Sequence, residues 1–311
     1  MSITFDVIVP TYENADELGA CLEGLQRQTF TSFRVLVCID GESLSVRELL
    51  KKLHLPVMES LVLSHPGNAH RGRNATRNLA LPHIRAPFLA MIDSDIVPAP
   101  QWLAEHYRVL KQTDCVSLGD VRYINVQENP WARYLQRRGK NKYRDGQQVP
   151  PYYLATGNLA LPSRYFLELG GQDEHMRGYG GGDTEFALRL EQRFAVPVIF
   201  NARAAAYSRM NKTLPQALQQ LEQFGAENLP YIAKQHPNER RIFGLQHLMG
   251  TRLRDRLLRR LAHSPLPRWL GGLVPNPIPP LERAVVHFLV FSAIARGWER
   301  HHRQRQEVAT Q

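Results

Sequence analysis

The feature that most constrains this chain is a repeated alternation of short apolar runs and helix-spaced segments between Phe5 and Leu118. Residues 5–9 form an apolar run ended by Pro10. Residues 15–28 then place Leu18, Cys21, Leu22 and Leu25 at helical spacing. Residues 33–39 form a second run, closed by Asp40-Gly41, and a short helix is predicted over 45–53. Strands are predicted over 60–63, 87–92 and 115–118, with helices over 68–81 and 100–112. Buried strands alternating with helices imply an α/β fold with a mostly parallel sheet flanked by helices on both faces.

Ligands of such sheets lie outside the carboxyl ends of the strands. Pro10-Thr11-Tyr12-Glu13, Asp40-Gly41 and Asp93-Ser94-Asp95 each follow a strand, so three polar clusters converge on one edge. Asp93 and Asp95 offer hard oxygens from a tight turn, which suits a divalent cation. A solvated turn is the plain alternative for the triplet, as an Asp-Gly turn is for Asp40. Tyr12 can stack on a base, and Thr11 can hold it through backbone or hydroxyl.

The second half is less regular. Residues 128–149 are polar and basic with interspersed aromatics, and read as a mobile loop or loosely packed helix. Strand character returns over 152–161 around Gly157-Asn158. Ser163 is expected to cap a helix over 163–169. A glycine run leads into Asp183, which opens a helix to about residue 193. Residues 196–200 and 204–207 read as two further strands.

Taken together these residues carry a resemblance. Val7-Ile8-Val9-Pro10-Thr11-Tyr12-Glu13-Asn14 is similar to the opening of family 2 glycosyltransferases. In that family an aspartate after the second strand, an Ala-Arg-Asn type helix and an Asp-X-Asp follow in order. Here those are Asp40, Ala75-Thr76-Arg77-Asn78 and Asp93-Ser94-Asp95. Gly157-Asn158-Leu159, Gly170-Gly171-Gln172-Asp173-Glu174 and the stretch from Gly178 to Phe186 resemble the acceptor half of galactosyltransferase-like and chondroitin-synthase-like members.

The resemblance implies a GT-A fold, Rossmann-like, and an inverting transfer from a nucleoside diphosphate sugar, with uridine the expected nucleoside, to a glycan or lipid-linked acceptor. Pro10, Thr11, Tyr12, Glu13, Asp40, Asp93 and Ser94 are then expected at the nucleotide, with Arg71 or Arg73 at the pyrophosphate. Asp95, with Asp93, would face a Mn2+ or Mg2+ ion. Gly157, Asn158, Gly181 and Gly182 would meet the acceptor. Asp183 would be the general base, taking the acceptor hydroxyl's proton as its oxygen attacks the anomeric carbon; a helix N-cap is its structural alternative. Two positions depart from the family. Gly182 stands where a Glu is frequent, and Ser208-Arg209 stands where a metal-binding His is frequent, so Arg209 is an alternative source of positive charge at the diphosphate.

The net charge of +10 is unevenly placed: 13 arginines, no lysine and four acidic residues lie from Arg240 to the end. That suggests an anionic partner such as a membrane surface. Residues 251–262 read as a basic amphipathic helix carrying Leu253, Leu257, Leu258 and Leu261. A series of prolines from Pro265 to Pro280 then breaks the chain, and residues 281–298 read as an apolar helix. Docking on a cytoplasmic membrane face and packing on the catalytic domain or a second subunit are both open. The expected organisation is a catalytic domain over 1–210 and a helical basic extension over 211–311.

Cys21, Cys38 and Cys115 form no disulfide or zinc pattern, the start has no basic leader, and no apolar stretch reaches the ~18–20 residues of a spanning helix. These point to the cytoplasm. A non-catalytic sugar-nucleotide or glycan-binding protein on the same fold is the second class. A nucleotidyltransferase is disfavoured by the absence of a Gly-rich basic loop after the first strand. A nucleic-acid binder is disfavoured by the lack of aromatic platforms among the arginines.

Overall fold

A computed structural model of the chain describes residues 3–53, 59–137, 142–274 and 279–309. The chain divides into two compact units. The first comprises Met1–Ile124, Gln136–Arg177 and Gly182–Arg209; the second comprises Asn125–Leu135, Gly178–Gly181 and Met210–Gln311.

The first unit is built on one sheet. Its strands are β1 (Phe5–Thr11), β2 (Phe33–Ile39), β3 (Glu59–Ser64), β4 (Phe88–Ile92), β5 (Ile96–Pro98), β6 (Val116–Tyr123), β7 (Gln148–Val149), β8 (Asn158–Pro162) and β9 (Val198–Ser208). They lie in the order β3-β2-β1-β4-β8-β6-β9-β5, with β7 also on β9. The β3-β2-β1-β4 half is parallel throughout, as is β6 with β9; β8 runs antiparallel to both β4 and β6. Most paired residues lie in the parallel ladders, as the alternating pattern requires.

β1 and β2 are buried along their whole length, which fits central strands covered on both faces. Side chains alternate between two cores. Phe5, Val7 and Val9 join one with Leu18, Leu22 and Leu25 of the helix Ala15–Gln26; Ile8 joins the other with Leu36 and Phe186. Each such apolar side chain stabilises the fold by about 1.5–3 kcal/mol. Pro10 sits beyond Ile8, the last β1 residue paired with β4, so its missing N–H breaks no bond on that side.

Four local expectations change. The helix predicted over 68–81 is only Arg73–Asn78, preceded by a 3-10 turn at Pro66–Asn68. Gly72 has φ 88°, a glycine conformation that stops the helix from extending backwards. The two strands expected over 196–207 are one strand, β9, with a bulge. There the Asn201 side chain accepts the Ala204 amide within the bulge (3.3 Å) and donates to the carbonyl of Glu105 in the helix Trp102–Leu110 (3.0 Å). Ser163 does not cap its helix: the cap position is Pro162, and the Ser163 hydroxyl donates to the Ala86 carbonyl at 2.7 Å. Finally, part of the expected loop over 128–149 is the helix Pro130–Gln136, with Trp131 and Tyr134 buried and stacked; residues 138–141 lie outside the described residues.

The second unit is helical. Leu214–Ala226, capped by a Thr213/Gln216 capping box, packs on the long helix Pro279–Ala309. A Cβ on Gly225 would sit 2.3 Å from the Ile294 carbonyl, and one on Gly297 only 1.9 Å from that of Glu222. Two glycines therefore permit a backbone-to-backbone approach. Val286, Leu289, Ala293 and Ile294 are buried, so the apolar face of this long helix packs on protein rather than facing outward. The proline-rich stretch also holds a short helix, Leu266–Leu273, with Pro267 in its first turn, where a missing N–H is tolerated. Among the described residues no helix is long and apolar enough to cross a membrane.

Candidate active site

The loops after β1, β2 and β4 are joined by side-chain hydrogen bonds. Thr11 Oγ1 donates to Asn14 Oδ1 (2.6 Å), and Asn14 Nδ2 donates to Ser94 Oγ (2.7 Å). Glu13 has φ 50° and donates its amide to Ser43 Oγ (3.3 Å), whose hydroxyl donates to the Asp40 carbonyl (2.8 Å). Pro10 and Thr11 are buried in the strand end, while Tyr12 is half exposed with its ring 4.7 Å from that of His70. The Glu13 charge, with some burial, pushes the Tyr12 phenol up, so it stays a neutral hydroxyl at physiological pH.

Asp40 is buried, and both its oxygens are engaged. They accept the amides of Arg71 (2.8 Å) and Gly72 (3.0 Å), and His70 Nδ1 lies at 2.9 Å. Its carboxylate thus fixes the backbone that turns into the helix Arg73–Asn78. Arg71 and Arg73 are both exposed, but only Arg73 exerts its charge on Asp93 and Asp95.

The triplet follows β4 directly. The Ile96 amide donates to the Asp93 carbonyl (3.0 Å), which closes a tight turn. The two carboxylates have different environments. Asp93 is largely covered and its Oδ1 lies 2.5 Å from Nη2 of the fully buried Arg77. Burial pushes the Asp93 carboxyl up, but Arg77 and then Arg73 outweigh it and hold it below the usual carboxylate range. Asp95 is exposed; partial desolvation and the Asp93 charge push it above that range. Among the described residues no group of three His, Cys, Asp or Glu side chains forms a closed metal cage. The hard oxygens of Asp95 and of Asp93 Oδ2 still suit a divalent cation whose other ligands come from outside the protein.

Asp183 lies in the first turn of the helix Gly182–Phe194 rather than capping it. Thr156, fully buried, donates its hydroxyl to Asp183 Oδ1 at 2.5 Å. The next residue, Gly157, accepts the Asp93 amide (3.3 Å), and a Cβ there would meet Asp93 Oδ2 at 2.8 Å. Two consecutive residues therefore hold Asp183 and Asp93. Gly182 lies against Asn74, whose Oδ1 would meet its Cβ at 2.7 Å, and Gly181 has φ 86°.

Sequence reading missed the role of Arg77 and the clamp around it. Arg77 also donates to Gln172 Oε1 (3.2 Å). Asn74 donates to the Asp173 carbonyl (2.8 Å), and Asn78 exchanges hydrogen bonds with the Gln172 backbone (2.8 Å each way). A Cβ on Gly171 would overlap Asn78 Oδ1 at 2.2 Å. The signal was present, since both partners belong to the quoted motifs, but their pairing across the chain was not legible.

Asn158 requires a correction. It is completely buried. Its Oδ1 accepts from Trp102 Nε1 (2.7 Å) and lies 3.1 Å from His106 Nε2, while its Nδ2 donates to the carbonyls of Ala204 (3.0 Å) and Asp120 (3.3 Å). With its amide fully used inside the core, it has no capacity for an acceptor sugar. Ser208 is buried opposite Ile96 in the β5/β9 ladder, one residue beyond the triplet.

The model described as "Glycosyl transferase family 2" matches residues 6–170, a little over half the chain. Chondroitin synthase of Escherichia coli is 24% identical over 59% of this chain and 32% of its own length. Validoxylamine A glucosyltransferase of Streptomyces hygroscopicus subsp. jinggangensis is 27% identical over 59% of this chain and 50% of its own length. The chain thus spans a third to a half of these curated relatives. Among solved structures, the mannosyltransferase PcManGT from Pyrobaculum calidifontis, in complex with GDP-Man and Mn2+, aligns over 96% of this chain and 88% of its own with a TM-score of 0.60 at 17% identity. TarS 1-349 of S. aureus in complex with UDP-GlcNAc aligns over 98% and 92% with a TM-score of 0.54 at 15% identity. These two share the GT-A fold with the chain. On the extent of that family match, the chain belongs to glycosyl transferase family 2.

Proposed function

We propose that the chain transfers a sugar from a nucleoside diphosphate sugar, with uridine as the nucleoside, to a glycan or lipid-linked acceptor, with inversion at the anomeric carbon. The observation that carries this reading is the Thr156-Gly157 pair, two consecutive residues of which the first bonds Asp183 and the second Asp93. Thr156 orients Asp183 through Oδ1, so that Oδ2 takes the proton of the acceptor hydroxyl. The acceptor oxygen bonds to the anomeric carbon as the bond from that carbon to the diphosphate breaks, and the nucleoside diphosphate leaves with the electron pair. One base suffices for such a displacement.

Pro10, Thr11, Tyr12, Glu13 and Ser94 line the nucleotide in this reading. Asp40 acts by fixing the 70–72 backbone, and Arg73 faces the diphosphate in preference to Arg71. Asp95 and Asp93 Oδ2 would hold a divalent cation, Mn2+ or Mg2+, as the Mn2+ complex of the Pyrobaculum calidifontis mannosyltransferase suggests. Bound there, a cation supplies positive charge to the departing diphosphate. In this reading Gly157 and Gly182, which leave room for the Asp93 and Asn74 side chains, lie on the acceptor side. In this reading the catalytic domain is drawn from residues 1–210, of which 125–135 and 178–181 group with the helical extension of 211–311.

A thermal-shift screen of UDP- and GDP-sugars with and without Mn2+ or Mg2+ tests the donor. A true donor at a hundredfold excess over its Kd stabilises the fold by about 2.7 kcal/mol; no response to any sugar nucleotide contradicts the reading. The stereochemistry is read by NMR, where an α-linked donor must give a β-linked product.

A further inference from the structure

The helix Leu253–Ala262 faces the opposite way from an ordinary surface helix. Its inward side is polar. Asp255 is buried with its Oδ1 2.8 Å from His247 Nδ1, and Arg259 Nη1 donates to the carbonyls of His247 (2.5 Å) and Gly250 (2.8 Å). Its outward side carries Leu253, Leu257 and Leu261 at i, i+4 and i+8, exposed by 82%, 54% and 37%. Leu258, grouped with them from sequence, is partly buried. Arg254 borders the leucine stripe on one side, and Arg256 and Arg260 border it on the other; all three are exposed. The next helix, Leu266–Leu273, adds exposed Arg268 and Trp269, the latter 64% exposed.

Three aligned leucines left in water forgo the stabilisation that burial would give. The buried Asp255–His247 contact and the Arg259 bonds to backbone carbonyls fix this orientation, so the leucines cannot roll inward without stranding Asp255 and Arg259. We propose that this face docks on an anionic lipid surface, with the leucines and Trp269 in the headgroup–acyl boundary and the arginines on lipid phosphates. Both halves of the pattern are needed for that partner. A nucleic acid would use the arginines and leave the leucines wet, whereas the cover of a second copy would meet its own like charges.

The test is co-flotation of the full chain with phosphatidylglycerol-containing vesicles and with pure phosphatidylcholine vesicles. Two variants are compared: Leu253→Ser/Leu257→Ser/Leu261→Ser and Arg254→Gln/Arg256→Gln/Arg260→Gln. All six side chains are exposed, and unchanged circular dichroism and donor binding confirm that both variants are folded. The expected result is binding to the anionic vesicles alone, weakened by salt and by roughly a hundredfold in the arginine variant, the scale of three interfacial charges. The leucine variant should lose binding as well. No binding of the full chain to anionic vesicles overturns the proposal. So does binding that the leucine changes leave intact, which marks adsorption by charge alone. A dimer that the leucine changes dissolve assigns the stripe to a second copy, and tighter binding to duplex DNA than to vesicles assigns the arginines to nucleic acid; either outcome also overturns it.

Discussion

Asp93 and Asp95 are two residues apart and have different tasks. Asp93 is held by the buried Arg77 and keeps its charge through that contact, whereas Asp95 is exposed with a raised carboxyl pKa. A raised carboxyl means the unfolded chain ionises first. Ionised Asp95 therefore begins to oppose the fold as pH rises past about 3.9, the free value, and opposes it fully above its folded pKa. Asp93 has the opposite sign: its contribution is complete above about 3.9 and is lost as pH falls through its lower folded value. Asp95→Asn should leave stability at neutral pH unchanged or slightly higher in urea titrations while weakening Mn2+-dependent donor binding by calorimetry. A variant that unfolds more readily yet keeps cation-dependent binding would show that Asp95 is structural. The triplet was legible because its three residues are adjacent and follow an apolar strand. Arg77 was not, because only the fold brings it to Asp93.

At the scale of elements, the strands of the parallel half were legible from their apolar runs, and the helix Arg73–Asn78 was overextended. What the pattern lacked was the Asp40 carboxylate, which takes the Arg71 and Gly72 amides out of the helix from 31 and 32 residues away. The bulge in β9 was likewise hidden, since the break between the expected strands over 196–200 and 204–207 is bridged by the Asn201 side chain accepting the Ala204 amide. Asn158 shows the reverse error, a core residue read as a ligand because it sits in a motif. It joins β8 to the helix Trp102–Leu110 and to β6 and β9 through four side-chain contacts. Asn158→Ala should cost roughly 3 kcal/mol or more, because it strands buried groups on several elements. Chemical denaturation measures this. Unchanged stability with weakened acceptor binding would restore its role at the acceptor.

At the scale of the molecule, chemistry and charge are separated along the chain. The sheet unit carries the candidate site, while the arginine excess lies in the helical unit, where a leucine stripe faces outward. Composition revealed the basic end, but not which helix would present its apolar face, because that depends on the buried Asp255 and on the Gly225 and Gly297 approach. The central claim concerns the other unit: that Asp183, oriented by Thr156, is the base of an inverting transfer. The most direct measurement is single-turnover transfer by Asp183→Asn beside donor binding by the same protein. Transfer should fall by at least about a hundredfold with donor affinity unchanged, the lower range for losing a positioned base. Retained transfer, or transfer lost together with donor binding, would contradict it.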